Sequence, residues 1–340
     1  MTSSARVVCF GEVLLRLSAP GHQLFLQSPS LDVVVGGAET NVAGSLAHFG
    51  HNAAMVSTLP DNAVGRAVLG EIRKHGIDTS FIRFAPGRMG LYFVTMGAAV
   101  RPSEVTYDRA HSAFADDAPE AVNWDAALKG AAWFHISGVT PALGPNGAKA
   151  AQRAADAARR MNVPVSFDGN FRSKLWAAWK GDAPGILKGL MASADLAFID
   201  DRDVAVILGQ QFSAGDDLER RRAAAKAAFT AFPQLKRIAC TVRVTSAAQA
   251  HQLSAIMFTR GSEHKARTYA LEGVVDRIGG GDAFAAGVLH GLITKMDDAA
   301  ALEFGLAAAC LKHSYPGDIN LAHIADVEDV LKGPGGDIRR

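Results

Sequence analysis

Cysteine is scarce in this chain: three residues, Cys9, Cys240 and Cys310, lie far apart among apolar neighbours. They form neither a disulfide framework nor a metal-ligand spacing, which excludes a stapled secreted scaffold and points to a reducing compartment. Blocks of one charge are also missing. The formal net charge is +1, and the longest like-charged cluster, Arg220–Arg222, sits in a Glu/Arg/Ala-rich stretch that reads as a solvated helix face. A nucleic-acid binder would concentrate basic residues on one footprint, so no nucleic-acid partner is expected. No apolar run is long enough to span a bilayer, and the short polar start Met1–Arg6 leads into a strand-length run instead of a signal-peptide core. The expectation is a soluble cytoplasmic protein without a membrane partner.

What the chain does have is core-forming material, with 49% of its 340 residues hydrophobic and 20% charged. That suffices for one large core, or a core with a small accessory unit. Val7–Phe10 reads as a buried strand. From Asn41 onward Val42, Leu46 and Phe49 share one helical face, and Gly50 is a natural stop. Further strands are expected at Ala53–Thr58, Trp133–Ile136, Val163–Phe167, Leu196–Ile199 and Arg237–Val242. Helices are expected at Val64–His75, Asn146–Met161, Leu187–Ser193 and Ala223–Phe232. This alternation predicts an α/β fold with a mostly parallel central sheet flanked by helices. Two β-rich excursions, 12–36 and 88–109, break the rhythm; Val13–Leu17, Leu31–Val35, Leu91–Met96 and Val105–Tyr107 suit a half-exposed sheet. They predict a small β lid over a cleft in a core built from 1–11, 37–87 and 110–332, with 333–340 as a frayed tail.

The stretch Gly279, Gly280, Gly281, Asp282 carries the most chemistry. Glycines allow the backbone to turn at positive φ and to approach a ligand, and Phe284, Val288 and Leu292 mark a helix starting near Gly280. Its free N–H groups and positive dipole end would suit a phosphate, and an ionised Asp282 in the first turn could accept a hydroxyl proton. Read alone, the segment serves equally well as a plain loop with an aspartate at a helix start. It is not the triphosphate loop ending in Gly-Lys-Ser/Thr. It also lacks the glycine spacing, and the acid about 20 residues on, of a nicotinamide site.

Two segments in the right order make the sequence resemble the ribokinase-type (PfkB) carbohydrate kinases: Gly36 through Ala43, and Asp276 through Gly287. The resemblance covers almost the whole chain. Gly90–Tyr92, Tyr107–Arg109, Ser137–Ala142, Asp168–Trp176 and Lys312–Asp318 are similar to the subgroup acting on 2-keto-3-deoxygluconate. It implies a ribokinase-like fold and transfer of a phosphoryl group from ATP to the terminal (C6) hydroxyl of that sugar acid. Asp282 would be the general base and Gly279, Gly280 and Gly281 the anion hole. It also implies sugar contacts from Gly36, Gly37, Asn41, Tyr92, Tyr107, Arg109, Val139, Arg172 and Asp318. Arg172 and Arg109 are the guanidinium groups that could bind a carboxylate through paired hydrogen bonds. ATP and Mg²⁺ are the implied cofactors, a monovalent cation is allowed for, and a homodimer through the lid is expected.

The chain departs from the family pattern in three places. Arg277 stands where the family has Thr, which would put a guanidinium beside the nucleotide phosphates. Asp200 and Asp203 replace an Asn-x-x-Glu motif that helps hold Mg²⁺ through water, and the pair reads equally as a helix cap. Thr241 and Arg243 stand where a glycine turn would meet the nucleotide. The alternatives are a kinase for fructose, ribose or a related keto-deoxy acid, and a catalytically weak sugar-binding protein.

Overall fold

The computed structural model describes residues 6–117, 122–213 and 215–333, so most of the expected tail lies outside the described residues. In chain order the strands are β1 Arg6–Phe10, β2 Leu14–Ser18, β3 Asp32–Gly36, β4 Asn52–Pro60, β5 Asp78–Ala85, β6 Gly90–Thr95 and β7 Glu104–Asp108. They continue as β8 Ala131–Ser137, β9 Val165–Asp168, β10 Leu196–Phe198, β11 Arg237–Ala247, β12 Ala250–Thr259, β13 Glu263–Lys265 and β14 Tyr269–Glu272. The main sheet runs β13-β12-β11-β10-β9-β8-β1-β4-β5, with β14 also paired to β12. From β5 to β11 every neighbour is parallel, and β12 to β14 join antiparallel.

Period-2 geometry explains why both faces are covered. Along β1, Val8 and Phe10 enter one core with the alanine face of the helix Pro145–Arg160. Val7 and Cys9 enter the other core, with the helices Ala38–His48, Gly280–Ile293 and Asp298–Lys312. None of the described helices is long and apolar enough to cross a membrane.

A separate four-stranded sheet has the order β3-β2-β6-β7, with a small core of Leu14, Tyr92 and Val94. Burial alternates residue by residue along β6 and β7, as a sheet with one exposed face requires.

Several boundaries differ from expectation for visible reasons. The helices Ala183–Met191 and Asp217–Ala231 begin earlier because Asp182 and Asp216 cap their first turns. β11 extends past Val242 because β12 pairs with it through Ala247. That antiparallel end of the sheet was not anticipated. Its outer strand residues Val244 and Thr245 are exposed and lack the continuous apolar run of a buried parallel strand.

Candidate active site

The parallel strands β1, β8, β9 and β10 end at Phe10, Ser137, Asp168 and Phe198, and a cleft of about 690 Å³ opens beyond them. This is the edge at which open α/β sheets bind ligands. The four-stranded sheet contributes Leu14, Tyr92, Val105 and Tyr107 to its wall.

At one end of the cleft the helix Gly280–Ile293 begins without a side-chain cap. Gly280 N–H donates to Arg277 O at 3.3 Å, and the N–H groups that follow it in the first turn keep their capacity for an anion. Of the three glycines, Gly279 alone has a positive φ, at 79°, and a Cβ there would stand 1.9 Å from the Asp318 carbonyl oxygen. Gly280 is packed against the His313 ring, whereas a Cβ on Gly281 would meet nothing within 4 Å.

Asp282 is half-buried in the first turn of that helix and accepts a 2.7 Å hydrogen bond from Asn41 Nδ2. Burial pushes its carboxyl up to about 7; Asp318 and Glu39 add to the rise, while Asn41 and Arg172 oppose it. The same Asn41 leaves its buried Oδ1 without a partner among the described residues, free to accept from a ligand hydroxyl. Asn41 is positioned by the glycine entry to its helix. Gly37 has φ 135°, and a Cβ there would meet the Glu12 carbonyl oxygen at 2.3 Å. Two turns of wall are braced by Glu39, whose Oε1 accepts from Ser137 N and Oγ and from Thr140 Oγ1 at 2.7–2.9 Å.

The arginines divide by role. Arg172 is exposed at the start of the helix Ser173–Trp179; its Nη1 donates to Phe171 O, and its charge acts on Asp282, Asp168 and Asp203. Arg109 lines the cleft but is buried, its Nε donating to Glu12 Oε2 at 2.6 Å. Arg243 and Arg277 stand together at the glycine end, close enough that burial and mutual repulsion lower the Arg243 pKa.

Most of the expected residues converge: Gly37, Asn41, Tyr92, Tyr107, Arg109, Val139, Arg172, Asp200, Asp203, Arg243, Arg277, Gly279, Gly281, Asp282 and Asp318 all line this cleft. Gly36, Gly280 and Thr241 do not. Gly36 is packed on the Asp318 carboxylate, Gly280 lies behind the wall against His313, and Thr241 pairs with Ala255 inside the sheet. Tyr92 and Asp318 are largely spent on each other, the Tyr92 hydroxyl donating to Asp318 Oδ2 at 2.5 Å. Asp200 and Asp203 form a capping box on the helix Asp201–Leu208. Both Asp200 oxygens are occupied by Arg202 and the Asp203 N–H, whereas Asp203 keeps its side chain on the cleft with its carboxyl pushed up to about 6, by burial and then by Asp200. Among the described residues no group of three or more acidic, His or Cys side chains is arranged to hold a metal by itself.

Sequence reasoning passed over Asp168. Its carboxyl is raised well above the usual range, by burial first and then by Asp282 and Asp203. Its place at the last residue of β9 was the available signal, since a carboxylate at the C-terminal edge of a parallel strand faces the ligand side. Arg16 was also missed: it reaches from β2 to Asp276 at 2.7 Å and Asp318 at 3.0 Å, fully inside the protein.

Comparison with known proteins extends the geometry. A model of the pfkB family carbohydrate kinases matches residues 4–325. A 2-dehydro-3-deoxygalactonokinase from Haloferax volcanii is 31% identical over 99% of this chain and 100% of its own length. The crystal structure of 2-dehydro-3-deoxygluconokinase from Thermotoga maritima superposes with a TM-score of 0.92 at 37% identity, covering 97% of this chain and 100% of that one. A putative ribokinase II from E. coli, in complex with ATP and Mg²⁺, has a TM-score of 0.81 at 19% identity over 97% and 99% of the two chains, a likeness of fold alone. Agreement of that extent shows the family: the chain belongs to the pfkB family of carbohydrate kinases.

Proposed function

We propose that this kinase transfers the γ-phosphoryl group of ATP to the C6 hydroxyl of 2-keto-3-deoxygluconate (2-dehydro-3-deoxygluconate), giving the 6-phosphate and ADP. The observation that carries the reading is the Asp282 carboxylate, poised near neutral pKa, held by Asn41 and set at an uncapped helix start. Asp282 takes the proton as the hydroxyl oxygen bonds to the γ-phosphorus and the bond to the bridging oxygen of ADP breaks. N–H groups at Gly279 and Gly281 hold charge on the transferring group, and Arg277 and Arg243 hold the remaining phosphates. Arg172 anchors the sugar carboxylate, with Arg109 beside it. Asn41 Oδ1 accepts from a sugar hydroxyl, and Tyr107 and Val139 shape the apolar wall.

Mg²⁺ would be held with the nucleotide by Asp203 and Asp168, whose carboxyl groups face the cleft; Asp200 is spent as a cap. The metal would offset phosphate charge. Residues 12–36 and 88–109 act as the lid on a core of 1–11, 37–87 and 110–332. Exposed Leu31 and Val33 beside and on the lid edge strand β3 support pairing of two lids in a homodimer.

The test is ADP release across a panel of 2-keto-3-deoxygluconate, its galactonate epimer, fructose and ribose. The epimer is included because a relative is named for it. Highest kcat/KM on a neutral sugar would overturn the sugar-acid assignment, and tight sugar binding without ADP release would make the chain a binding protein on a kinase fold.

A further inference from the structure

Lys312 ends the helix Asp298–Lys312 with its side chain wholly buried. Its Nζ donates to two backbone carbonyls, Asp276 O at 3.3 Å and Tyr315 O at 3.2 Å, and lies 5.4 Å from the centre of the Tyr315 ring. Asp276 is where the glycine turn begins, and its carboxylate shapes the turn. Oδ1 accepts from Ile278 N–H at 2.9 Å, and Oδ2 accepts from Gly317 N–H at 3.2 Å. Ammonium and carboxylate together therefore tie the 276–281 turn to the 315–318 loop. That loop in turn supplies the Asp318 carbonyl that crowds Gly279. Burial lowers the Lys312 pKa, while Asp276 and Asp318 counteract it by favouring the charged form.

Carbonyl oxygens and an aromatic face are what a desolvated monovalent cation would also take as partners. Here the space between the two carbonyls is filled by the lysine, so a dissolved potassium or ammonium ion does not fit it.

We propose that Lys312 is a positioning residue for phosphoryl transfer: its ammonium is a built-in monovalent cation that fixes the glycine turn, and turnover needs no dissolved one. This rests on the kinase reading of the adjoining cleft. Asp282 lies in the first turn after the segment Lys312 holds, so loosening that segment misplaces the base and the anion hole while leaving the sugar contacts of Asn41 and Arg172 in place. The signature is a loss in kcat without a matching change in sugar KM.

The experiment compares wild type with Lys312→Ala as full chains, in buffer whose only cations are Mg²⁺ and a bulky organic ammonium, then with potassium or ammonium chloride added. Wild type should change rate by less than about twofold, while Lys312→Ala should lose about tenfold or more in kcat and recover part of it with either salt. Melting temperature gives a second readout that needs no turnover. Potassium should raise it for Lys312→Ala relative to a matched organic salt, and leave wild type unmoved. Potassium activation or stabilisation of wild type by several-fold or several degrees would overturn the proposal, as would full kcat for Lys312→Ala without alkali cation. If Lys312→Ala does not fold, Lys312→Met keeps the stem: it should be slow and not rescued by potassium, and full activity would overturn the idea. Failure of wild type on every sugar sinks the substrate assignment alone, because the melting comparison still decides the role of Lys312.

Discussion

A carboxyl group with a pKa of about 7 is half-protonated at neutral pH, which gives Asp282 a kinetic signature. As the base it must be ionised, so kcat/KM should climb through about pH 7 and level off above it. A profile that is flat from about pH 6 to 8 would argue against the assignment. Asp282→Asn should lower kcat by about 10²- to 10⁴-fold while sugar still raises the melting temperature. Arg172 gives the complementary test. Losing a charge-assisted pair of hydrogen bonds costs about 2–3 kcal/mol, so Arg172→Ala should raise KM for an acidic sugar by roughly 30- to 160-fold. A neutral sugar should hardly notice, and equal losses on both would mean that Arg172 does not read the carboxylate.

Between elements, the connection that matters is made by Arg16, which leaves β2 of the four-stranded sheet to pair with Asp276 and Asp318 outside that sheet. Removing one member of such a buried cluster strands the others, typically at a cost of about 3–5 kcal/mol. Arg16→Met should therefore lower the melting temperature clearly, and an unchanged melt would show that the four-stranded sheet is not anchored there. This connection was illegible in the sequence. Arg16 and Asp318 stand 302 positions apart (318 − 16), and no local pattern distinguishes a buried Arg from a solvated one. The strand-helix rhythm and the glycine turn were legible because periodicity and backbone conformation are local properties. The β12–β14 ribbon was not, since β13 and β14 are only three and four residues long and polar residues such as His251, Gln252 and Ser254 interrupt the apolar pattern of β12. Asp168 was visible only as a strand-end residue, because its perturbation comes from burial and then from Asp282 and Asp203, all of which arise only on folding.

For the whole molecule, titration pulls stability in two directions. Burial lowers His251, His290 and His313 to about 4 and His135 to about 3, so the folded chain keeps them neutral. The unfolded chain takes up these protons below about pH 6.5, and stability is lost as pH falls from there toward 4. Asp282 behaves oppositely: folded, it holds a proton up to about 7 that the unfolded chain releases near 4, so its contribution falls as pH rises across that window. Asp168, Asp203, Asp318 and Glu39 are raised by burial in the same direction as Asp282, and these carboxyls set against the four histidines should flatten the melting profile of the ligand-free protein between about pH 4 and 6.5. Asp282→Asn should melt above wild type at about pH 8 and lose that advantage near pH 4. The opposite order would contradict a raised Asp282. The three glycines before it also differ in mutational tolerance, although their letters are the same. In a library that replaces every residue in turn, alanine at Gly279 or Gly280 should be purged by any selection for folded protein. Alanine at Gly281, where a Cβ meets open space, should survive that selection and be lost only when the library is selected for growth on the sugar.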